Sequence, residues 1–169
     1  MRLGSGKKLV TEQSLRAVAS GGRNEHRKTD LFVVIASNII NIAMALLFTA
    51  RLSGLFLVEK SMGVMVIFLG FALGYVAYIN KKDKRDKWEV FLLLPVFFFC
   101  IVELTVDYIL VADWRSSAFV GPYLLLYYFS LWMLIGYAFR FEKRWGFITL
   151  GTYFLNMFLS LYQYALLGR

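Results

Sequence analysis

Hydrophobic residues fill five long stretches of the chain, and short polar connectors separate them. The stretches lie at about residues 31–50, 62–79, 90–112, 118–139 and 145–167. Each is close to the roughly 20 residues that an α-helix needs to cross a hydrocarbon layer about 30 Å thick. Apolar residues occupy nearly all sides of these stretches, whereas the strands of a transmembrane β-barrel alternate apolar and polar positions. The pattern predicts an all-α membrane protein, a single bundle of five transmembrane helices.

The composition divides the chain into two parts. Hydrophobic residues make up 59% of its 169 residues, and charged residues make up only 18%, below the quarter or so of a typical soluble domain. The charges crowd into residues 1–30 and into the connectors. Glycines at positions 4, 6, 21 and 22 favour a mostly flexible chain before the first apolar stretch. We therefore expect a flexible basic tail over residues 1–30 and a five-helix transmembrane domain over residues 31–169.

The distribution of positive charge predicts the orientation. Of the 19 lysines and arginines, fifteen lie in residues 1–30 and in the second and fourth connectors, and four lie in the alternate segments. Lysine and arginine are retained on the cytoplasmic side of membranes, so the N-terminus is predicted to be cytoplasmic and the C-terminus outside. The net charge of +8 then predicts contact with anionic headgroups at the cytoplasmic face, and no nucleic-acid partner. Residues 1–30 lack the apolar core of a cleavable signal peptide.

The plasma membrane is the expected location of this multi-pass protein, with an organelle membrane left open. Cys100 is the only cysteine and His26 the only histidine, so the chain has no intrachain disulfide and no histidine-rich metal or haem site. No nucleophile–histidine motif or nucleotide-binding glycine loop occurs. We expect no cofactor and no metal, and a role other than catalysis is favoured.

Two acidic residues inside the third stretch are the sharpest chemical feature. Glu103 and Asp107 lie four positions apart, hence about 40° apart around a helix, in the half of the membrane predicted to be outer. An ionisable residue within a membrane is a functional candidate because its burial is costly. The acids could form an ion or ligand pathway, or they could form structural ion pairs with Arg51 or Arg115 at the same level.

Polar residues also form narrow stripes on three other predicted helices. The first helix carries Asn38 and Asn41, the fourth carries Tyr127, and the fifth carries Asn156. Further members of these stripes are Thr49, Tyr123, Ser130, Tyr137, Thr149, Thr152, Ser160 and Gln163. The stripes are predicted to face inward, toward the acids. They favour either interhelical hydrogen bonds or a hydrated, ligand-holding cavity, and in the second case Asn38, Asn41, Tyr127 and Asn156 join the acids as pathway candidates.

The second stretch carries small residues on one face, at Gly63, Gly70 and Gly74. Glycines at a spacing of four allow two helix backbones to approach closely. The partner is either a neighbouring helix of this chain or another chain, in a homo-oligomer or a larger membrane complex.

Three functions remain open on the sequence alone. A small transporter or a small-ligand or ion-binding membrane protein, using the acidic pair, is the favoured one. An accessory or scaffold subunit of a larger membrane complex is the alternative. A lipid-acting enzyme with the acids as general acid and base is the weakest, because no nucleophile or metal ligand accompanies them.

Overall fold

The computed structural model describes residues 5–110 and 119–167, with side chains for residues 25–110 and 119–166. Within that part the chain is entirely helical and contains no strand. A π-helix, Leu104–Ile109, follows the third of five α-helices. The α-helices are α1 (Ser5–Leu52), α2 (Phe56–Lys82), α3 (Lys87–Glu103), α4 (Val120–Phe141) and α5 (Lys143–Leu167).

The prediction of an all-helical protein is confirmed for the described residues, because each apolar stretch coincides with a helix. Four helical segments are long and apolar enough to cross a membrane, namely Glu25–Leu52, Phe56–Lys82, Lys87–Ile109 and Val120–Phe141. Helix α5 has the length, but its polar stripe lowers its mean hydropathy.

The chain divides into two compact units, Met1–Phe32 and Val33–Arg169. In the first, the chain is helical from Ser5, and Lys28 Nζ lies 3.3 Å from the Glu25 carboxylate, one helical turn away. The predicted flexibility of residues 1–30 stays a prediction. All that follows concerns the second unit.

Two short connectors end α1 and α2 in the same way. At the end of α1, Gly54 adopts a φ of 70°, and the Leu55 amide donates to the Ala50 carbonyl at 2.9 Å. At the end of α2, Lys84 adopts a φ of 54°, and the Arg85 amide donates to the Asn80 carbonyl at 2.9 Å. Both are Schellman closures, in which a left-handed residue lets the chain turn back while satisfying the last carbonyl groups.

The helices of the second unit pack in sequence, α2 on α3, α3 on α4 and α4 on α5. The central apolar side chains Ile40, Leu73, Leu93 and Leu134 come from four different helices and are at most 1% exposed. In the most apolar part of the segment that ends α1, 61% of the residues are buried. In the three other long apolar helical segments the buried share is 39% each.

Large apolar side chains also cover the outside of the helices. Leu57, Phe68, Leu125 and Phe158 are each more than 60% exposed. Water-soluble proteins rarely expose apolar patches of such extent. The surface and the four long apolar helices are therefore compatible with a membrane protein.

The glycine face of α2 packs against the third helical segment of the same chain. A Cβ atom at Gly63 would meet the Tyr108 hydroxyl, and one at Gly74 would meet the Phe97 ring. At Gly70 the neighbour is the sulfur of Cys100. Of the two partners considered for this face, the structure has the neighbouring helix, and association with other chains stays a prediction.

Candidate ligand-binding cavity

A cavity of about 290 Å³ lies where the end of α1, the end of α3, the start of α4 and the end of α5 meet. Apolar and aromatic side chains form most of its wall. Its polar or ionisable lining residues are Arg51, Glu103, Tyr123, Tyr127, Tyr128, Ser160, Gln163 and Tyr164, and its apolar ones are Met44, Leu47, Phe48, Val120, Leu124 and Leu161.

Glu103 is the acidic group of the cavity wall. It is the last residue of α3, it is only 9% exposed, and its carboxylate accepts a hydrogen bond from the Tyr123 hydroxyl of α4. A buried carboxylate needs such a donor because removing it from water without one is costly.

The π-helix begins immediately after Glu103. In it the Leu110 amide donates to the Thr105 carbonyl at 2.9 Å, a five-residue spacing, while the Thr105 hydroxyl donates to Ile101 O at 2.7 Å. A hydroxyl that bonds the carbonyl four residues back competes with the regular backbone pattern. Wide turns of this kind are frequent at functional sites, and this one was not predicted from the sequence.

Arg51 contributes the positive charge of the wall and pairs with Glu59 of α2. Its Nη2 and Nε atoms lie 2.6 and 2.8 Å from Glu59 Oε1. Glu59 was not among the residues selected from the sequence, where it stood as an ordinary charge near a connector. The pair balances the arginine charge with a carboxylate outside the cavity lining.

Two tyrosines of α4 are held from α5. Tyr127 donates to Asn156 Oδ1 at 2.9 Å, and Asn156 Nδ2 lies 2.7 Å from the same hydroxyl. The Tyr128 hydroxyl lies 2.6 Å from that of Ser160. The two rings meet at 61° with centroids 4.9 Å apart, and Phe48 approaches Tyr127 edge-on. The aromatic part of the wall is therefore fixed by hydrogen bonds behind it.

Below the cavity, polar groups of α1 and α5 bond directly. Asn38 Nδ2 donates to Thr149 Oγ1 at 3.0 Å, and Thr152 Oγ1 donates to Asn38 Oδ1 at 2.9 Å. Asn41 Nδ2 donates to Thr152 Oγ1 at 3.1 Å. Of the two interpretations of the polar stripes, interhelical hydrogen bonds and a hydrated cavity, these direct bonds between α1 and α5 correspond to the first.

The structure thus separates the residues selected from the sequence. Glu103, Arg51 and Tyr127 line the cavity, and Asn156 bonds to its wall. Asn38 and Asn41 lie in the contact between α1 and α5. Asp107 lies in the π-helix, partly buried and outside the lining, and Arg115 falls outside the described residues.

The sequence reasoning missed several wall residues. Tyr128, Tyr164 and Phe48 had no distinguishing pattern, because aromatic residues are common throughout the chain. Tyr123 and Gln163 belonged to the polar stripes. The prediction that those stripes face inward was the only indication in the sequence that these two residues lie at an interior site. Tyr123 is 8% exposed and Gln163 is 3% exposed, as that direction requires.

In the part of the chain that the structure describes, no three histidine, cysteine, aspartate or glutamate side chains lie close enough to hold a metal ion. The class that the fold defines is a helical protein with four helices able to cross a membrane. Comparison with protein-family models, with curated proteins and with solved structures found no match.

Proposed function

We propose that the protein is a five-span membrane protein that binds a small ligand in the cavity beside Glu103, as a small transporter or a ligand-binding membrane protein. The N-terminus is cytoplasmic and the C-terminus outside, in the plasma membrane. The observation that carries the proposal is the cavity itself. Ligand sites are typically concave and mostly apolar, with a few placed polar groups, and this cavity combines an apolar wall with one buried carboxylate.

The exposed face of α5 supports a fifth span. Its 25 residues would reach about 37 Å at 1.5 Å per residue. Its polar members Thr149, Asn156 and Gln163 are at most 3% exposed. Its outward side chains are instead apolar or aromatic, among them Phe147, Phe154, Leu155, Phe158 and Leu161. A helix with polar groups inside and apolar groups outside is suited to lipid despite a modest mean hydropathy.

Access to the cavity from outside the membrane tests the proposal. In a Cys100→Ala background, Leu124→Cys places a thiol on the cavity wall, and Leu131→Cys makes the same change two turns along α4. Leu131 is 2% exposed and does not line the cavity. We expect small thiol reagents, one charged and one neutral, to label the first and spare the second.

Equal protection of both thiols from both reagents would contradict a reachable binding site. Labelling of both at the same rate would indicate that the bundle has loosened, so each variant is first checked for a single thermal transition and a monodisperse profile in detergent.

A further inference from the structure

We propose that the cavity binds a single-chain amphiphile, a molecule with one apolar chain and one hydrogen-bonding head such as a hydroxyl group. The inference rests on the proposed function and names the ligand class of the same site. It follows from the order of apolar and polar groups along the cavity and from the part of the wall that is exposed on α5.

The cavity extends along the helices. Helices α1 and α5 run in the same direction, because the hydrogen bonds between their polar groups advance together along both. The α1 side of the wall extends from Met44, at the inner end, to Arg51, at the outer end, which is two helical turns, about 10 Å. The volume of about 290 Å³ is at the lower end of small-molecule sites and, over that length, suits one extended chain.

The hydroxyl protons near the inner end are engaged within the protein. The Tyr127 hydroxyl donates to Asn156 Oδ1 and accepts from Asn156 Nδ2. The Ser160 hydroxyl donates to the Met157 carbonyl at 2.9 Å, so the Tyr128 hydroxyl is the donor in its contact with Ser160. A ligand oxygen placed here finds no hydroxyl donor among these three side chains, and burying it is costly. An apolar chain carries no such cost.

Polar groups of the wall gather toward the outer end. Arg51 is the next-to-last residue of α1, Glu103 is the last of α3, and Gln163 lies in the last two turns of α5. A guanidinium carries five N–H donors on three nitrogen atoms, and Glu59 contacts two of these nitrogens in Arg51. A ligand oxygen can therefore share the guanidinium with Glu59, so the head of an amphiphile has a donor at this end.

Part of the α5 side of the wall is also the outer surface of the helices. Leu161 and Tyr164 line the cavity, yet they are 53% and 47% exposed. In a bilayer this surface meets acyl chains. An amphiphile dissolved in the membrane can then reach the cavity from the side, and its chain avoids the unfavourable transfer through water.

Three probes of equal chain length test the proposal. They are n-octanol with one hydroxyl, octamethylene glycol with a hydroxyl at both ends, and n-octane with none. Protection of Leu124→Cys from labelling is measured on the full chain in phosphatidylcholine nanodiscs, in a Cys100→Ala background, at equal mole fractions of probe in the bilayer. We expect octanol to protect at a mole fraction about fivefold or more below that of the glycol, and about threefold below that of octane.

A variant of the inner end tests the cause of that order. Met44→Gln places an amide beside the end that is otherwise apolar, so the preference for octanol over the glycol should fall to about twofold or less. Met44→Leu changes the same side chain but keeps it apolar, and it should leave the preference unchanged.

A pair of exposed positions keeps the test usable if Met44→Gln does not fold. Leu161→Trp enlarges a side chain of the cavity wall and should weaken octanol about fivefold or more. Leu155→Trp makes the same change on the same helix at 52% exposure, away from the cavity, and should weaken octanol less than about twofold.

Two sets of outcomes separate this proposal from the proposed function. Equal protection by octanol and the glycol, equal effects of the two tryptophans, or no protection of a reactive Leu124→Cys by any probe would overturn the amphiphile and leave a reachable cavity. Failure of all three probes together with an unreactive Leu124→Cys would overturn the proposed function as well.

Discussion

Gly70 lies where α2 passes the sulfur atom of Cys100. A methyl group at this position would overlap Cys100 Sγ and crowd Cys100 Cβ, with the Val96 carbonyl 3.7 Å away. Cys100 is fully buried, and its sulfur lies 3.8 Å from the Val66 carbonyl, so it has little room to move. One hydrogen atom in place of a side chain therefore sets the separation of two helices.

Gly70→Ala should destabilise the protein by about 1 to 3 kcal/mol, the usual cost of overpacking. Cys100→Ala in the same chain removes the sulfur and should restore part of that loss. The measurement is reversible unfolding in detergent.

Gly151→Ala is the matched control, because nothing lies within 4 Å of a Cβ atom there. It should be neutral or stabilising by up to about 1 kcal/mol, the helix-propensity gain. Equal losses at both glycines would show that helix packing is not the cause.

The sequence identified polar and acidic residues of the cavity wall, but it did not identify the residues with which they pair. Glu103 and Tyr127 were found because an acid or a polar stripe within an apolar stretch is visible in the sequence alone. The pair between Arg51 and Glu59 was not found. It depends on the Gly54 turn, which brings residues eight positions apart onto facing helices, and pairing of this kind is a property of the folded chain.

At the level of elements, α3 has a well-defined beginning. The Trp88 amide donates to Asp86 Oδ1 at 3.1 Å, which satisfies one of the free amides of the first turn. Arg140, at the end of α4, forms an ion pair with the same carboxylate. Asp86 thus joins the start of one helix to the end of the next.

The hydrogen bond from Trp88, and then the bond and charge of Arg140, lower the pKa of Asp86 below its usual 3.8. A lowered pKa means that the folded state favours the ionised form. The stabilisation is therefore complete above the unfolded value and is lost as the pH falls through the folded one.

Asp86→Asn keeps a capping side chain and loses the charge, whereas Asp86→Ala loses both. We expect melting temperatures at pH 7 in the order wild type, Asp86→Asn, Asp86→Ala. The gap between wild type and Asp86→Asn should start to narrow as the pH falls below about 4 and should close once the pH is below the lowered pKa of Asp86. A gap that stays constant over that range would show that the carboxylate charge contributes nothing.

The whole molecule combines short turns with helices of membrane-spanning length. Because each helix is joined to the next by a short segment of sequence, successive connectors are expected on opposite sides of a membrane. The lysines and arginines predict which side is cytoplasmic, since these residues are retained there.

Single cysteines in a Cys100→Ala background test this topology. Ser53→Cys and Ala165→Cys should react with an impermeant thiol reagent applied outside intact cells. Asp83→Cys and Glu142→Cys should react only after permeabilisation. All four positions are exposed, so access depends on the side of the membrane. Labelling of Glu142→Cys and Ala165→Cys from one side would rule out a fifth span.

The sequence by itself determined the five apolar helical stretches, since hydrophobic length and helical rise are local properties that no tertiary contact needs to supply. It also determined which helix faces are polar, because the angle between residues on one helix follows from their spacing. The tertiary structure alone decided that Asn38 and Asn41 meet α5, that Glu103 reaches the cavity wall while Asp107 does not, and that Arg51 pairs with Glu59. Those outcomes depend on how far each helix is rotated against its neighbours, and packing at contacts such as Gly70 with Cys100 sets that rotation.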